Sequence, residues 1–183
     1  MEGLKKASGV QILNLAPAGL QYMARFNHLN KPFDNAKVRQ AVLAAFAQEP
    51  FLKAQVGLKE YYRTCASMYT CGPHHGSAFG SAIQSKSRMK KAQELLKESG
   101  YDGTTVVVLK PTDIATINKL PAVGAQLLRQ AGFKVDVQAM DWQTVVGRRA
   151  KSDPGDKGGG TPFFPAGRRP GRASQTATLG RAG

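Results

Sequence analysis

Two stretches of the chain share one local design. Leu95-Leu96-Lys97-Glu98-Ser99-Gly100-Tyr101 and Leu127-Leu128-Arg129-Gln130-Ala131-Gly132-Phe133 each close an apolar helical stripe with a glycine and lead into a strand. Met89, Ala92, Leu95 and Leu96 form the first stripe, and Thr104 to Leu109 follows as a β-branched run suited to burial. Ile114, Ile117, Leu120, Val123, Leu127 and Leu128 form the second, with Phe133, Val135, Val137 and Ala139 alternating after it. The strand, helix, strand order from Thr104 to Met140 predicts a parallel pair with a right-handed crossover. The fold class is therefore α/β, a mixed sheet with helices. Pro121 removes a backbone donor and is expected to kink or divide the second helix between Leu120 and Ala122. Asp141 then caps a short helix through Trp142, Val145 and Val146.

Upstream, Pro32 bars a helix from running in and Asp34 offers a side-chain oxygen to the next turn. A helix is expected from about Asn35, with Val38, Ala41, Val42, Ala45 and Phe46 facing inward. Val10 to Leu15 and Leu20 to Leu29 read as two strands around a turn at Ala16-Pro17-Ala18-Gly19. Glu49-Pro50 restarts a helix whose apolar side is Phe51, Leu52 and Val56, until Gly57 stops it.

The run Lys31-Pro32-Phe33-Asp34-Asn35, followed by Val38-Arg39-Gln40-Ala41, resembles the middle of the family 5 extracellular solute-binding proteins, the dipeptide and oligopeptide receptors of bacterial ABC importers. The likeness continues through Glu94 to Tyr101, Leu127 to Phe133, and Lys134 to Val146 with Trp142, covering Val10 to Gly159 in the family's order. It implies one lobe of a periplasmic-binding-protein type II-like fold, incomplete because family members are far longer. It also implies a fragment of the substrate-binding component of an ABC importer for peptides or similar solutes. That component is periplasmic, monomeric and without a cofactor, and has an ABC permease as its partner.

Ligands of open α/β sheets gather at the C-terminal ends of parallel strands, and in the resembling receptors the loop after the first such strand faces the cleft between lobes. Lys110, Thr112 and Asp113 are accordingly the candidate ligand-binding residues: the lysine for a carboxylate, the others for hydrogen bonds to a peptide-like solute. The plainer reading has Asp113 or Thr112 capping the helix that follows.

Leu58 to Ser85 shows no sustained period and holds Cys65 and Cys71. Because the resembling proteins work outside the cytoplasmic membrane, this pair can be a disulfide closing a small loop. Two free thiols, or a metal site with His74 and His75, are the competing readings, although a five-residue gap departs from the usual spacing of zinc knuckles.

With 26 Lys+Arg against 12 Asp+Glu, the formal charge of +14 raises a basic nucleic-acid-associated protein as the alternative function. A nonfunctional truncated remnant is a further one. The positive residues are spread singly along helices, and the one dense cluster, Arg168, Arg169 and Arg172, lacks a stacking platform beyond Phe163-Phe164. No nucleic-acid partner is expected. No phosphate loop, nucleophile elbow or His-Glu-x-x-His occurs, so no enzyme is expected either. Met1 to Gly9 has no apolar segment of a signal peptide, and no run approaches the roughly 18 apolar residues of a membrane span.

Composition changes at Ala150, so the chain divides into an α/β lobe over 1–150 and a Gly/Pro/Arg-rich tail over 151–183. From Gly158 to Gly183 there are seven glycines, three prolines and no acids, and this tail is expected to be disordered. In the family, Gly-Gly here opens a buried strand with a tryptophan and paired phenylalanines, followed by an acidic ligand loop. Phe163-Phe164 echoes that strand, whereas the tryptophan and the acidic loop are absent. A shifted reading frame in GC-rich DNA would leave such a composition; the plainer reading is a low-complexity tail.

Overall fold

The computed structural model describes Gly3 and residues 7–12, 20–64, 88–166 and 176–182. Its centre is the run Val106–Pro111, β3, in which Val106, Val107, Val108 and Leu109 are all buried. A strand apolar on both faces needs cover on both. Val106 and Val108 join the large cluster that includes Val42, Phe46, Leu96, Leu120 and Leu128, while Val107 and Leu109 meet Val145, Met140 and Trp142 on the other side.

β3 pairs in parallel with β4 (Val135–Met140), Val108 opposite Val137, and in parallel with β5 (Thr161–Ala166), Val108 opposite Thr161. β1 (Leu20–Arg25) runs antiparallel to β5, and antiparallel to β6 (Thr176–Ala182), which also borders the short β2 (Tyr62–Arg63). The six-stranded order is β2-β6-β1-β5-β3-β4. The expected parallel pair is present. Leu20 to Leu29 is strand only to Arg25, and Val10 to Ile12 are outside any strand, with the rest of the expected first strand beyond the described residues.

The first helix, α1 (Ala36–Ala45), buries Val38, Ala41, Val42, Ala44 and Ala45, with Phe46 just beyond it at 1% exposure. Its cap is Asn35 and not Asp34: the Asn35 side-chain oxygen accepts from the Lys37 N–H at 2.9 Å while its amide donates to the Ser99 carbonyl at 3.0 Å. One asparagine thus starts a helix and ties it to a distant turn. Asn35→Ala should cost about 1 kcal/mol in chemical denaturation, against a negligible change for the exposed Gln40→Ala.

α2 (Gln48–Gln55) has Pro50 in its first turn and ends before Gly57, whose φ is +83°. Phe46 and Phe51 rings meet edge to face at 5.2 Å, and Phe26 lies 4.7 Å from Phe33 and 6.2 Å from Phe46. This aromatic chain fastens the 26–33 turns onto the helices.

α3 (Arg88–Glu98) and α4 (Leu120–Ala131) are the two stripe helices. At the end of α4, Gly132 is left-handed with φ +103°, and the Phe133 N–H reaches back to the Leu128 carbonyl at 3.0 Å. The expected kink at Pro121 does not occur. The helix begins at Leu120, so proline occupies its first turn, where a missing N–H costs nothing, and Ile114 to Asn118 form a turn instead. Tyr101 and Phe133, the residues after the two glycines, pack at 5.3 Å. The Tyr101 hydroxyl donates to the Thr104 carbonyl at 2.6 Å and accepts from the Lys134 N–H at 3.1 Å, joining the two units.

α5 (Trp142–Ala150) runs into a clasped turn at 151–160, and β5 and β6 take inner places in the sheet, where a disordered tail was expected. The glycines here serve close approach more than flexibility. A Cβ on Gly159 would lie 2.1 Å from the Asp153 carbonyl oxygen, and one on Gly160 2.6 Å from a Leu109 methyl. Arg148 holds this turn, its guanidinium donating to the carbonyls of Gly158 at 2.8 Å, Gly159 at 2.6 Å and Gly155 at 3.3 Å, and to the Gln138 side chain. Asn27 and Asn30 brace it from outside through the Ser152 carbonyl, at 3.0 and 2.6 Å.

Candidate functional site

The three residues expected to bind ligand lie together at the C-terminal end of β3. Lys110 stands opposite Ala139, half-exposed, and no ion pair ties it among the described residues. It lies on the strand face shared by Val106 and Val108, one residue before the buried Pro111.

Thr112 and Asp113 are exposed but already engaged. The Thr112 N–H and hydroxyl both donate to the Met140 carbonyl, at 3.0 and 3.2 Å, which extends the β3–β4 pairing beyond the strand. Asp113 accepts from the Trp142 N–H at 2.9 Å. The plainer sequence reading was right in kind, with a different target: Asp113 caps α5, across the sheet edge, not the helix that follows it. Asp141 completes that N-terminus by accepting from the Thr144 N–H at 2.9 Å and from its hydroxyl at 2.6 Å. The Thr144 hydroxyl foremost, together with the backbone N–H groups of the first turn, holds the Asp141 carboxyl below the usual carboxylate range. Two carboxylates on one helix N-terminus stabilise its partial positive charge.

The turn after Asp113 is fixed from the other side. Gln55, at the end of α2, donates to the Ala115 carbonyl at 2.8 Å. Its own side-chain oxygen and that of Asn118 are buried acceptors without a hydrogen-bond partner among the described residues. Sequence periodicity gave no hint of Gln55 or Asn118, since both sit beside apolar positions of otherwise ordinary helical stripes. Among the described residues the rim offers one cation without an ion pair, Lys110, beside the hydrogen-bonded Thr112 and Asp113.

Cys65, Cys71, His74 and His75 lie outside the described residues. Among the described residues no group of three or more His, Cys, Asp or Glu could hold a metal, and no helix is long and apolar enough to cross a membrane.

In open α/β sheets ligands gather at such a rim, at the C-terminal ends of parallel strands, and similarity to known proteins gives the family. The sequence profile of the bacterial extracellular solute-binding proteins, family 5 middle, matches residues 1–161, and the chain belongs to this family. The chain is 34% identical over 149 residues to y4tO of Sinorhizobium fredii, a protein named as a probable peptide ABC transporter periplasmic-binding protein; the match spans 80% of this chain and 28% of that protein. It is 33% identical over 142 residues to the glutathione-binding protein GsiB of Pectobacterium atrosepticum, across 74% of this chain and 25% of that one. In fold it resembles the ABC transporter substrate binding protein CtaP of Listeria monocytogenes, with a TM-score of 0.66 at 18% identity, across 82% of this chain and 30% of that structure. The chain thus spans about a quarter of the length of the curated relatives it matches.

Proposed function

We propose that this chain supplies one lobe of the solute-capturing component of an ABC importer for peptides or similar solutes, acting outside the cytoplasmic membrane and delivering to a membrane permease. Membership of the solute-binding family carries the reading. The names of the relatives support peptide or glutathione as the solute class.

In this reading Lys110, Thr112 and Asp113 form one wall of the solute cleft. Lys110 meets the carboxylate of a peptide-like solute, while Thr112 and Asp113 keep the rim in register with β4 and α5. One wall desolvates little of a ligand. The chain alone should bind di- and tripeptides at about millimolar affinity or weaker, near 4 kcal/mol, because most of the water-excluding surface of a closed cleft is not supplied by a single lobe. Calorimetric titration tests this, with Lys110→Glu expected to remove the residual signal. Micromolar binding lost in Thr112→Ala or Asp113→Ala would instead make this lobe a self-sufficient receptor.

A further inference from the structure

Two of the sequence runs that carry the family likeness converge on a feature that the solute rim does not use. Residues 31–38, leading into α1, and residues 99–102, leaving α3, flank an open surface cavity of about 270 Å³. Asp102 precedes β3 and Lys110 lies near its C-terminal end, so the groove and the rim are at opposite ends of that strand.

Its chemistry has two parts. Pro32, Val38 and Tyr101 supply an apolar floor, with Pro32 and Val38 buried, and Asp34, Asp102 and Lys31 supply charge. The lining carries one lysine against two aspartates, in a chain whose formal charge is +14. The C-terminal end of α3 adds the negative pole of its dipole through the last carbonyls of the helix. The Asp34 side chain makes no hydrogen bond or ion pair among the described residues, although its charge acts on the Lys31 ammonium. Asp102 is engaged by the Thr104 hydroxyl and N–H and by the Lys31 ammonium, which together hold its carboxyl well below the usual carboxylate range and keep it ionised. The Lys31–Asp102 pair is 2.9 Å long, yet its side chains are 68% and 47% exposed, so Lys31 is weakly held and open to replacement by a competing cation. The neighbouring Lys37 is occupied with Glu98 at 3.2 Å. A space of this size falls just short of the ~300–1,000 Å³ of drug-sized sites and suits a smaller guest.

We infer that this cavity binds a small organic cation with an apolar body, a primary alkylammonium in its simplest form. The ammonium takes Asp34 and competes with Lys31 for Asp102, while the alkyl chain lies over Pro32, Val38 and Tyr101. The site is independent of the solute rim, and its failure would leave the importer reading untouched.

The test is an NMR titration of the whole chain with n-butylammonium, and with butyrate at matched ionic strength, following the backbone N–H signals of 35–38 and 99–102. Saturable shifts confined to these signals are expected for the amine and none for the acid. Affinity should fall about threefold in Asp34→Asn and rise about threefold in Lys31→Gln, as exposed ion pairs of this strength require. The increase in Lys31→Gln is the decisive sign, because mere loosening of the turn would weaken binding. Equal shifts with butyrate, shifts spread over the chain, unchanged affinity in Asp34→Asn or weaker binding in Lys31→Gln would each overturn the assignment.

Discussion

Val42→Asp is expected to abolish cooperative melting. Val42 is 1% exposed inside α1, within the cluster that also takes Phe46, Leu96 and Val108, and the cations of that helix are engaged elsewhere, Lys37 with Glu98 and Arg39 with the Phe33 and Asp34 carbonyls. A carboxylate there is desolvated without a partner. The cost is about 4 kcal/mol or more, a large share of the 5–15 kcal/mol that holds a typical domain together. Gln40→Asp, two residues away on the exposed face, should change stability by no more than about 0.5 kcal/mol. Heat denaturation followed by circular dichroism reads both. A Val42→Asp protein that melts cooperatively near the parent temperature would show that this face of α1 is not in the core.

Gly159→Ala should be nearly as damaging for a different reason. The added methyl would sit 2.1 Å from a backbone oxygen, that of Asp153, and backbone cannot rotate away as a side-chain tip can. The Gly159 carbonyl also accepts from Arg148 at 2.6 Å, so displacing it loosens the clasp over Gly155 to Gly159. A loss of about 3 kcal/mol is expected, at the upper end of overpacking effects. Limited trypsin digestion gives a local readout: in the parent, cleavage after Lys157 should be slow because the turn is clasped, and in Gly159→Ala it should become the first cut. Equal digestion and melting of the two proteins would mean that the turn accommodates the methyl.

These two positions also show what was legible in the sequence. α1 and its inward residues followed from apolar spacing, and the two helix-glycine-strand units followed from Gly100 and Gly132. Local signals of this kind survive into the fold because burial and the left-handed turn act over a few residues. The cap was displaced by one residue because Asp34 and Asn35 are both competent, and only the distant Ser99 carbonyl selects Asn35. The tail from 151 to 183 is expected from its composition to be disordered, because glycine and proline speak against a strand locally. Pro162 and Pro165 would ordinarily bar a strand from the interior of a sheet. Its real determinants are distant: the Leu109 side chain against Gly160, and a guanidinium reaching back from α5. At the rim, Lys110, Thr112 and Asp113 were located by topology, whereas the commitment of Asp113 to Trp142 depends on how β3 and β4 end side by side.

The strand order carries a consequence for how the chain is made. β1 is synthesised well before both its neighbours: Gln21 faces Ala166 on one side and Arg181 on the other. β3 likewise waits for Thr161 and Pro162 to cover its second edge. On the ribosome, the helices can gather their apolar faces long before either strand is sealed, so a nascent chain carries two open, pairing-competent edges until residues 161–182 are free. Folding should therefore be slow and late, and a ribosome paused before residue 161 should leave a product that chaperones hold.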